Sequence, residues 1–221
     1  MELNMGSEIE RDSESSNLKK KLYIRVLENN LTGLRELGQK LGPIQRGTFR
    51  KRYGNILGLL EVKVQVLAVT ALAQHYDPPM RCFTFQDFQL VLTLEEYKQI
   101  FDLPLEGGIP YKYLEQQVSI PTLAGIMKSQ LRELKGRLVT RRGVKGFSQK
   151  YLETYLHQIA DKEDWETFMD ILALVIYGVL VFPNQEDLVD YDAIGVFVAV
   201  KTRAENPVST ILADTYVALD L

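Results

Sequence analysis

Residues 165–182 read WETFMDILALVIYGVLVF, and this stretch decides the fold. Glu163 and Asp164 come directly before it, where the positive end of a helix dipole favours negative charge. Apolar side chains then occur on every side of the helical wheel rather than on one stripe, which requires neighbours all round. The sequence therefore predicts a central apolar helix over about 163–182, ended by Phe182 and the following Pro183.

The flanking segments carry helical periodicity and capping signals. Thr93 and Glu96 have the spacing of a capping box, and Asn206 places a cap residue directly before a first-turn proline. Helices are predicted over 18–41, 48–73, 94–101, 121–134, 148–159, 188–201 and 207–219. The alternating segment 81–88 is predicted to be extended. We expect a mainly α, single compact multi-helix domain with at most a short β-hairpin or extended segment near 81–92.

Composition and length set the domain organisation. The 221 residues are 46% hydrophobic and 25% charged, which is typical of a globular protein. Residues 1–17 are polar and without period, so we predict a disordered N-terminal tail followed by one helical domain over 18–221. The net charge of −3 creates no overall attraction to nucleic acid or anionic membrane. The longest apolar run, 171–182, is shorter than the roughly 20 residues that cross a bilayer, and no signal peptide is visible, so an intracellular protein is expected.

Catalytic and metal-binding patterns are absent from the sequence. Cys82 is the single cysteine, which excludes an intramolecular disulfide, and its small size favours a buried structural role. His75 and His157 are the only imidazoles, and neither lies in a catalytic signature. The acidic residues of 161–166 are explained by a helix start, and no glycine-rich phosphate loop occurs. We therefore predict a protein that is not an enzyme and uses no metal or cofactor.

Two basic segments are candidates for a binding surface. Residues 128–150 hold eight Lys or Arg residues and one acid, and glycines make the second half a predicted mobile loop. Basic side chains on such a loop can follow a phosphate backbone, although a merely solvated loop is the commoner case. The candidate contact residues are Arg137, Arg141, Arg142 and Lys145. The second segment, 50–52, is predicted near a helix start, where its positive charges oppose the dipole. Such a conflict can mark a binding surface, although a merely solvated helix end is the commoner case.

Three blocks of the sequence resemble the plant mobile domain. They are 71–107, with its Cys-Phe-Thr-Phe segment, 174–187, with Ile-Tyr-Gly-Val-Leu-Val-Phe-Pro-Asn, and the closing helix 208–219. The resemblance is to the divergent versions in legume-type transposon-derived proteins. It implies a helical domain of transposable elements and of the host nuclear proteins derived from them, some linked to transposon silencing. The family has been labelled aminotransferase-like, but the alternating strand–helix pattern of a pyridoxal-phosphate enzyme is missing here.

These observations predict a non-enzymatic interaction domain of a transposable-element-derived plant protein, in the nucleus rather than the cytoplasm, with a protein partner. The first alternative is a nucleic-acid-binding module that acts through the basic loop 128–150. The second alternative is a decayed or truncated transposon fragment without activity. It is suggested by an early C-terminal end and by the lack of the tryptophans that the family pattern carries near the first block and before the last helix.

Overall fold

The computed structural model describes residues 4–6, 23–25, 30–104, 109–111 and 120–220. Helices dominate these residues, and the mainly α single-domain fold is confirmed. The helices are α1 Thr32–Gln39, α2 Pro43–Tyr53, α3 Ile56–Leu59, α4 Val66–Ala73, α5 Leu94–Phe101, α6 Ile120–Ile126, α7 Leu131–Gly136, α8 Gln149–Asp161, α9 Trp165–Ile176, α10 Tyr191–Arg203 and α11 Val208–Asp220. The strands are β1 Asn4–Gly6, β2 Tyr23–Arg25, β3 Tyr76–Asp77, β4 Cys82–Thr84, β5 Gln89–Leu90, β6 Ile109–Pro110, β7 Leu138–Arg141, β8 Val144–Ser148, β9 Leu188–Asp190 and β10 Glu205–Asn206.

Helix α9 lies at the centre of the fold, as its all-round apolarity predicts. Every residue from Thr167 to Ile176 is buried, and α1, α2, α3, α8 and α10 pack around the helix. The chain continues directly into a π-helix, Tyr177–Val181. A Cβ atom on Gly178 would lie 2.6 Å from Cγ1 of Val189, so the glycine lets β9 pack against this π-helical turn.

Four capping interactions predicted from the sequence are present, whereas the cap predicted at Thr48 is wrong, because α2 begins at Pro43. The hydroxyl of Thr93 accepts from the amide of Glu96, whose carboxylate accepts from the Thr93 amide in return. The side chain of Asp164 accepts from the Thr167 amide at 3.2 Å at the start of α9. Ser148 caps α8 and Asn206 caps α11 in the same way. Each cap pairs an amide that the helix leaves without an internal partner.

The described residues between 30 and 220 also form three small sheets. Strands β3, β4 and β5 form an antiparallel sheet, which places extended structure in the region near 81–92 as predicted. Strands β7, β8 and β9 form a second antiparallel sheet, with Leu138 opposite Phe147. Strands β6 and β10 form a short parallel pair.

The prediction of a mobile loop in the second half of 128–150 is wrong, because a β-hairpin forms there. Arg142 and Gly143 both have positive φ angles, 47° and 86°, as a two-residue type I′ turn requires. Gly146 lies so close to the backbone of β9 that a Cβ atom there would meet the carbonyl of Val189 at 2.2 Å. The buried ring of Phe147 fixes the hairpin to the core.

Several predicted helices are shorter than their periodicity suggested. For the helix expected over 18–41 the predicted start is wrong, because β2 occupies Tyr23–Arg25 and α1 begins only at Thr32. The helix expected over 121–134 is split into α6 and α7 by Lys128, whose φ angle of 48° ends a helix. The helix expected from Leu188 begins only at Tyr191, because Asp190 caps it and β9 precedes it.

The segments near the N-terminus differ from the sequence prediction in two further ways. The helix expected to extend to Ala73 is interrupted between α3 and α4, where residues 62–65 form neither helix nor strand and Val62 and Val64 are exposed. Within the tail predicted to be disordered, Asn4–Gly6 pairs with Tyr23–Arg25 as an antiparallel ladder. The other residues of that tail lie outside the described residues.

Candidate functional site

Exposed apolar side chains are concentrated in one layer of the protein, formed by α4, the β3–β5 sheet, α5 and α11. Among the described residues, fifteen large apolar side chains are exposed, and twelve belong to this layer and the chain leading into it. They are Val62, Val64, Val66, Leu67, Leu72, Met80, Phe88, Leu90, Val91, Leu94, Ile100 and Val217. Single exposed apolar residues are ordinary, but a concentration of them indicates a contact surface.

An open apolar groove of about 430 Å³ lies at the centre of this layer. Helices α4, α5 and α11, strand β4 and the π-helix supply its walls. Representative lining side chains are Leu72, Phe83, Ile100, Leu180 and Ile211. Leu72 is 39% exposed and Ile100 is 46% exposed, so the groove presents apolar surface to solvent.

Tyrosine hydroxyls hold the walls of this apolar groove together. Tyr97 of α5 donates to the hydroxyl of Thr215 in α11 at 2.8 Å. Tyr216 of α11 donates to the carbonyl of Leu92 at 2.8 Å and accepts from the Leu92 amide at 3.1 Å. Burial raises the pKa of the Tyr97 phenol above its ordinary value. These bonds fix α11 against α5, which gives the groove a defined shape.

The layer around the apolar groove is acidic. Residues 60–104 and 208–220 carry eight carboxylates and three Lys or Arg side chains. The carboxylates are Glu61, Asp77, Asp87, Glu95, Glu96, Asp102, Asp214 and Asp220, and the cations are Lys63, Arg81 and Lys98. Asp214 lines the groove itself, where desolvation by its apolar neighbours raises the pKa of the carboxyl group. The surface therefore favours an apolar partner that carries positive charge.

The basic residues of α2 lie elsewhere and are oriented differently from the prediction. Because α2 begins at Pro43 and not near Thr48, Arg50, Lys51 and Arg52 occupy its last turn. The negative end of the helix dipole favours positive charge there, so the prediction that these charges oppose the dipole is wrong. Arg50 pairs with Asp102 at 2.6 Å on the surface.

A polar network lies beneath this end of α2. The phenol of Tyr53 donates to Asp170, and the ammonium group of Lys201 lies 2.8 Å from the same carboxylate. Asp170 is 4% exposed, so both partners compensate for the desolvation of its charge. Burial and the neighbouring carboxylate raise the pKa of the Tyr53 phenol, which keeps it a hydrogen-bond donor at any physiological pH. The network joins α2, α9 and α10.

A second cavity, of about 490 Å³, opens above this network at the ends of α2 and α10. Lys51, Arg52 and Tyr53 contribute from α2, and Lys201 contributes from α10. The chain at 103–104 and 204–207 completes the lining. The arrangement places three cationic side chains around one cavity.

The four residues predicted to contact nucleic acid do not form one face. Arg137 lies at the end of α7, with its guanidinium 5.3 Å from the centre of the Tyr151 ring, which is a cation–π contact. Arg141 donates to the carbonyl of Glu186 at 3.2 Å. Since side chains alternate along a strand, Arg141 and Lys145 lie on opposite faces of the β7–β8 hairpin, with Arg142 at its tip.

The other residues weighed for chemistry have structural surroundings. Cys82 is buried, with its sulfur 3.6 Å from the Thr84 hydroxyl. The ring of His75 stacks on Phe85 at 4.4 Å. Asp164 caps α9 and pairs with Lys128 at 2.7 Å, and this ammonium group lowers the pKa of the Asp164 carboxyl. In the part of the chain that the structure describes, no group of three His, Cys, Asp or Glu side chains is placed to hold a metal ion.

Sequence reasoning missed the buried network and the apolar groove. Tyr53, Asp170 and Lys201 are far apart along the chain, so no local motif connects them. One signal was available: Asp170 is the one charged residue between Phe168 and Phe182 in an otherwise apolar stretch. A carboxylate in such a position has to be paired, which predicts a buried partner without identifying it.

Comparison with known proteins places the chain in a family without assigning an activity. A family model described as "Domain of unknown function (DUF7745)" matches residues 34–221. No curated protein and no solved structure matches the chain. None of the helices within the described residues has the length and apolarity needed to cross a membrane.

Proposed function

The chain belongs to the DUF7745 family, and we propose that its helical domain is a non-enzymatic protein-binding module. The binding surface is the apolar groove between α4, α5, α11, β4 and the π-helix. The occupant is an amphipathic helix of a partner protein, with Lys or Arg residues beside its apolar face. The observation that carries this proposal is the concentration of exposed apolar side chains around one open groove.

The apolar surface supplies the binding energy. Removing apolar surface from water contributes roughly 25 cal/mol per Å². Leu72 and Ile100 line the groove while exposed to solvent, and Leu67, on the same helix as Leu72, is 88% exposed. A partner that covers these side chains gains this free energy without first unfolding any part of the groove. Interface cores formed in this way are typical of helix-in-groove complexes.

A helical partner fits better than an added strand. Strand addition depends on a sheet edge long enough to pair several backbone groups. The edge strands of this sheet, β3 and β5, have two residues each. Backbone pairing there contributes little, so recognition depends on side chains that enter the groove from a helix.

The charge of the layer defines the second property of the partner. The segments that form the layer, 60–104 and 208–220, carry eight carboxylates and three cations, and Asp214 lines the groove. Two of these carboxylates are paired, Asp102 with Arg50 and Asp220 with Arg81. Complementary charge raises the association rate, and repulsion between like charges weakens the binding of negatively charged partners. A basic, amphipathic helix is therefore preferred to an acidic one.

A displayed library of helical peptides tests the proposal. Enriched peptides should place apolar residues at i, i+3 or i+4 and i+7 and should carry Lys or Arg beside them. Binding should be lost in Ile100→Glu, which alters the groove, and kept in Ile44→Glu, which adds the same charge at an exposed site on α2. No enrichment, enrichment of acidic peptides, or equal binding to both variants would contradict the proposal.

A second copy of the chain is the alternative occupant. Analytical ultracentrifugation distinguishes it, because self-association through the groove would give a dimer that Ile100→Glu dissociates and Ile44→Glu does not. That result would mean that a second copy of the chain, and not the helix of another protein, occupies the groove. A monomer at all concentrations is expected.

We further propose, from the sequence resemblance, that the module belongs to a transposable-element-derived plant protein that acts in the nucleus. The non-enzymatic assignment is supported by the burial of Cys82 and by the stacking of the His75 ring on Phe85, which are the surroundings of structural residues. A fluorescent fusion expressed in plant cells tests the location. Exclusion of the fusion from the nucleus would contradict it.

A further inference from the structure

We infer that the cavity at the ends of α2 and α10 binds a small molecule that carries a phosphate group. This site is separate from the protein-binding groove, because the two cavities share no lining residue. The inference is therefore independent of the proposed function.

The cavity has the dimensions of a ligand site. Its volume of about 490 Å³ falls within the range of roughly 300–1,000 Å³ that is typical of small-molecule pockets. Leu103, Pro104 and Val200 supply apolar wall, and Asn206 supplies a polar group. A few polar side chains on a mainly apolar wall are the common composition of such sites.

The charge in the cavity is positive. Lys51, Arg52 and Lys201 line it, against one acidic lining residue, Glu205. Glu205 is already neutralised, because the guanidinium of Arg203 binds it in a bidentate manner at 2.6 and 3.3 Å. Lys201 is likewise paired with Asp170, so Lys51 and Arg52 supply the positive charge that favours an anion. Arg52 offers the planar set of donors that suits phosphate oxygens.

Arg52 is held only weakly by the carboxylates near it. Its guanidinium lies 3.4 Å from Glu166 and 3.8 Å from Asp170. Both separations exceed the 2.7–2.9 Å of a charge-assisted hydrogen bond. With 37% of its side chain exposed, Arg52 can form shorter bonds to an oxyanion that enters the cavity.

Lys201 is held in position by the buried network. Its ammonium group contacts both oxygens of Asp170, at 3.0 and 2.8 Å, and its side chain is 24% exposed. A cation that is fixed before the ligand arrives loses little conformational freedom on binding. Asp170 thus holds the ammonium group of Lys201, and Tyr53 binds the same carboxylate. Lys51 and Arg52 supply the other two cations of the cavity.

Calorimetric titration with inorganic phosphate, pyrophosphate and adenosine triphosphate tests the inference. At least one probe should bind the wild-type chain with one-to-one stoichiometry. The double variant Lys51→Gln/Arg52→Gln should weaken that binding by about tenfold or more, because it removes two charge-assisted contacts and leaves Lys201 unchanged. Circular dichroism checks that the variant is folded.

A matched control removes two charges elsewhere. Arg141→Gln/Arg142→Gln changes the net charge equally on the β-hairpin, and binding should change less than about twofold. Absence of saturable binding to the wild type, or equal weakening in both double variants, would overturn the inference.

A single-stranded oligonucleotide separates free phosphates from a nucleic-acid backbone. The inference requires that the free probes bind and that the oligonucleotide does not compete with them. An oligonucleotide that binds through Lys51 and Arg52, while no free probe does, would overturn the assignment to a small molecule.

Discussion

The phenol of Tyr53 donates a hydrogen bond of 2.5 Å to the carboxylate of Asp170, 117 positions away along the chain. The bond connects the last turn of α2 to the middle of α9, the most buried helix of the fold. Lys201 of α10 completes the arrangement with an ion pair to the same carboxylate. Three helices are thus joined by one buried charge.

Tyr53→Phe should lower the free energy of unfolding by about 1–3 kcal/mol, because the carboxylate of Asp170 loses a donor in a buried site. Urea denaturation measures the change. Tyr97→Phe is the matched control, since it removes a neutral bond to the Thr215 hydroxyl and should cost about 0.5–1.5 kcal/mol. A larger cost for Tyr97→Phe than for Tyr53→Phe would contradict the importance of the buried charge.

Gly178→Ala should destabilise the protein by about 1–3 kcal/mol, because the added methyl group would lie 2.6 Å from Cγ1 of Val189. Thermal or urea unfolding measures the loss. Val189→Ala should recover part of it when combined with Gly178→Ala, since it removes the atom that is contacted. Gly125→Ala on α6 has nothing within 4 Å of its added atom and should be neutral or stabilising. Equal costs at both glycines would contradict the close packing of β9.

The ion pair between Lys128 and Asp164 should contribute stability only within a pH window. Lys128 lowers the pKa of the Asp164 carboxyl below its unfolded value, so this contribution is lost as pH falls through that lowered pKa. The pKa of Lys128 is raised by the same bond, so its contribution is lost as pH rises through the raised pKa. Lys128→Met should therefore be less stable than wild type near neutral pH and equally stable in strong acid. Unfolding measured across pH checks this, and a pH-independent difference would contradict it.

The basic hairpin gives a test of the nucleic-acid alternative. If the hairpin tip contacts phosphates, a DNA duplex should bind weakly and with strong salt dependence, and Arg141→Glu/Arg142→Glu should flatten the dependence of affinity on salt. Fluorescence anisotropy at several salt concentrations measures the slope. The control Lys51→Glu/Arg52→Glu reverses the same number of charges at the end of α2. Indifference to the hairpin change would remove this alternative.

The central helix and the capping box of α5 were predictable because their causes are local. The all-round apolarity of 165–182 needs no knowledge of the rest of the chain, and neither does the spacing between Thr93 and Glu96. Strand β4 was predictable for the same reason, from the alternation around Cys82.

The hairpin at 138–148 was not predictable by the same means. Its strands are short and basic, and their alternation is weak, so composition alone suggested a solvated loop. Pairing with β9, whose residues lie 40 to 44 positions later in the sequence, holds β8 in the sheet. Phe147 fixes the register by entering the core. Residues that pair across such a distance leave no periodic signal in either segment.

The sequence by itself determined that this protein is a mainly helical domain built around one apolar helix, because hydrophobic periodicity and capping act between neighbours along the chain. Only the tertiary structure decided where the apolar groove lies and which residues meet Asp170. Both depend on how α2, α5, α10 and α11 pack against each other. That packing follows from side-chain shape and burial across the whole domain, which no single segment encodes.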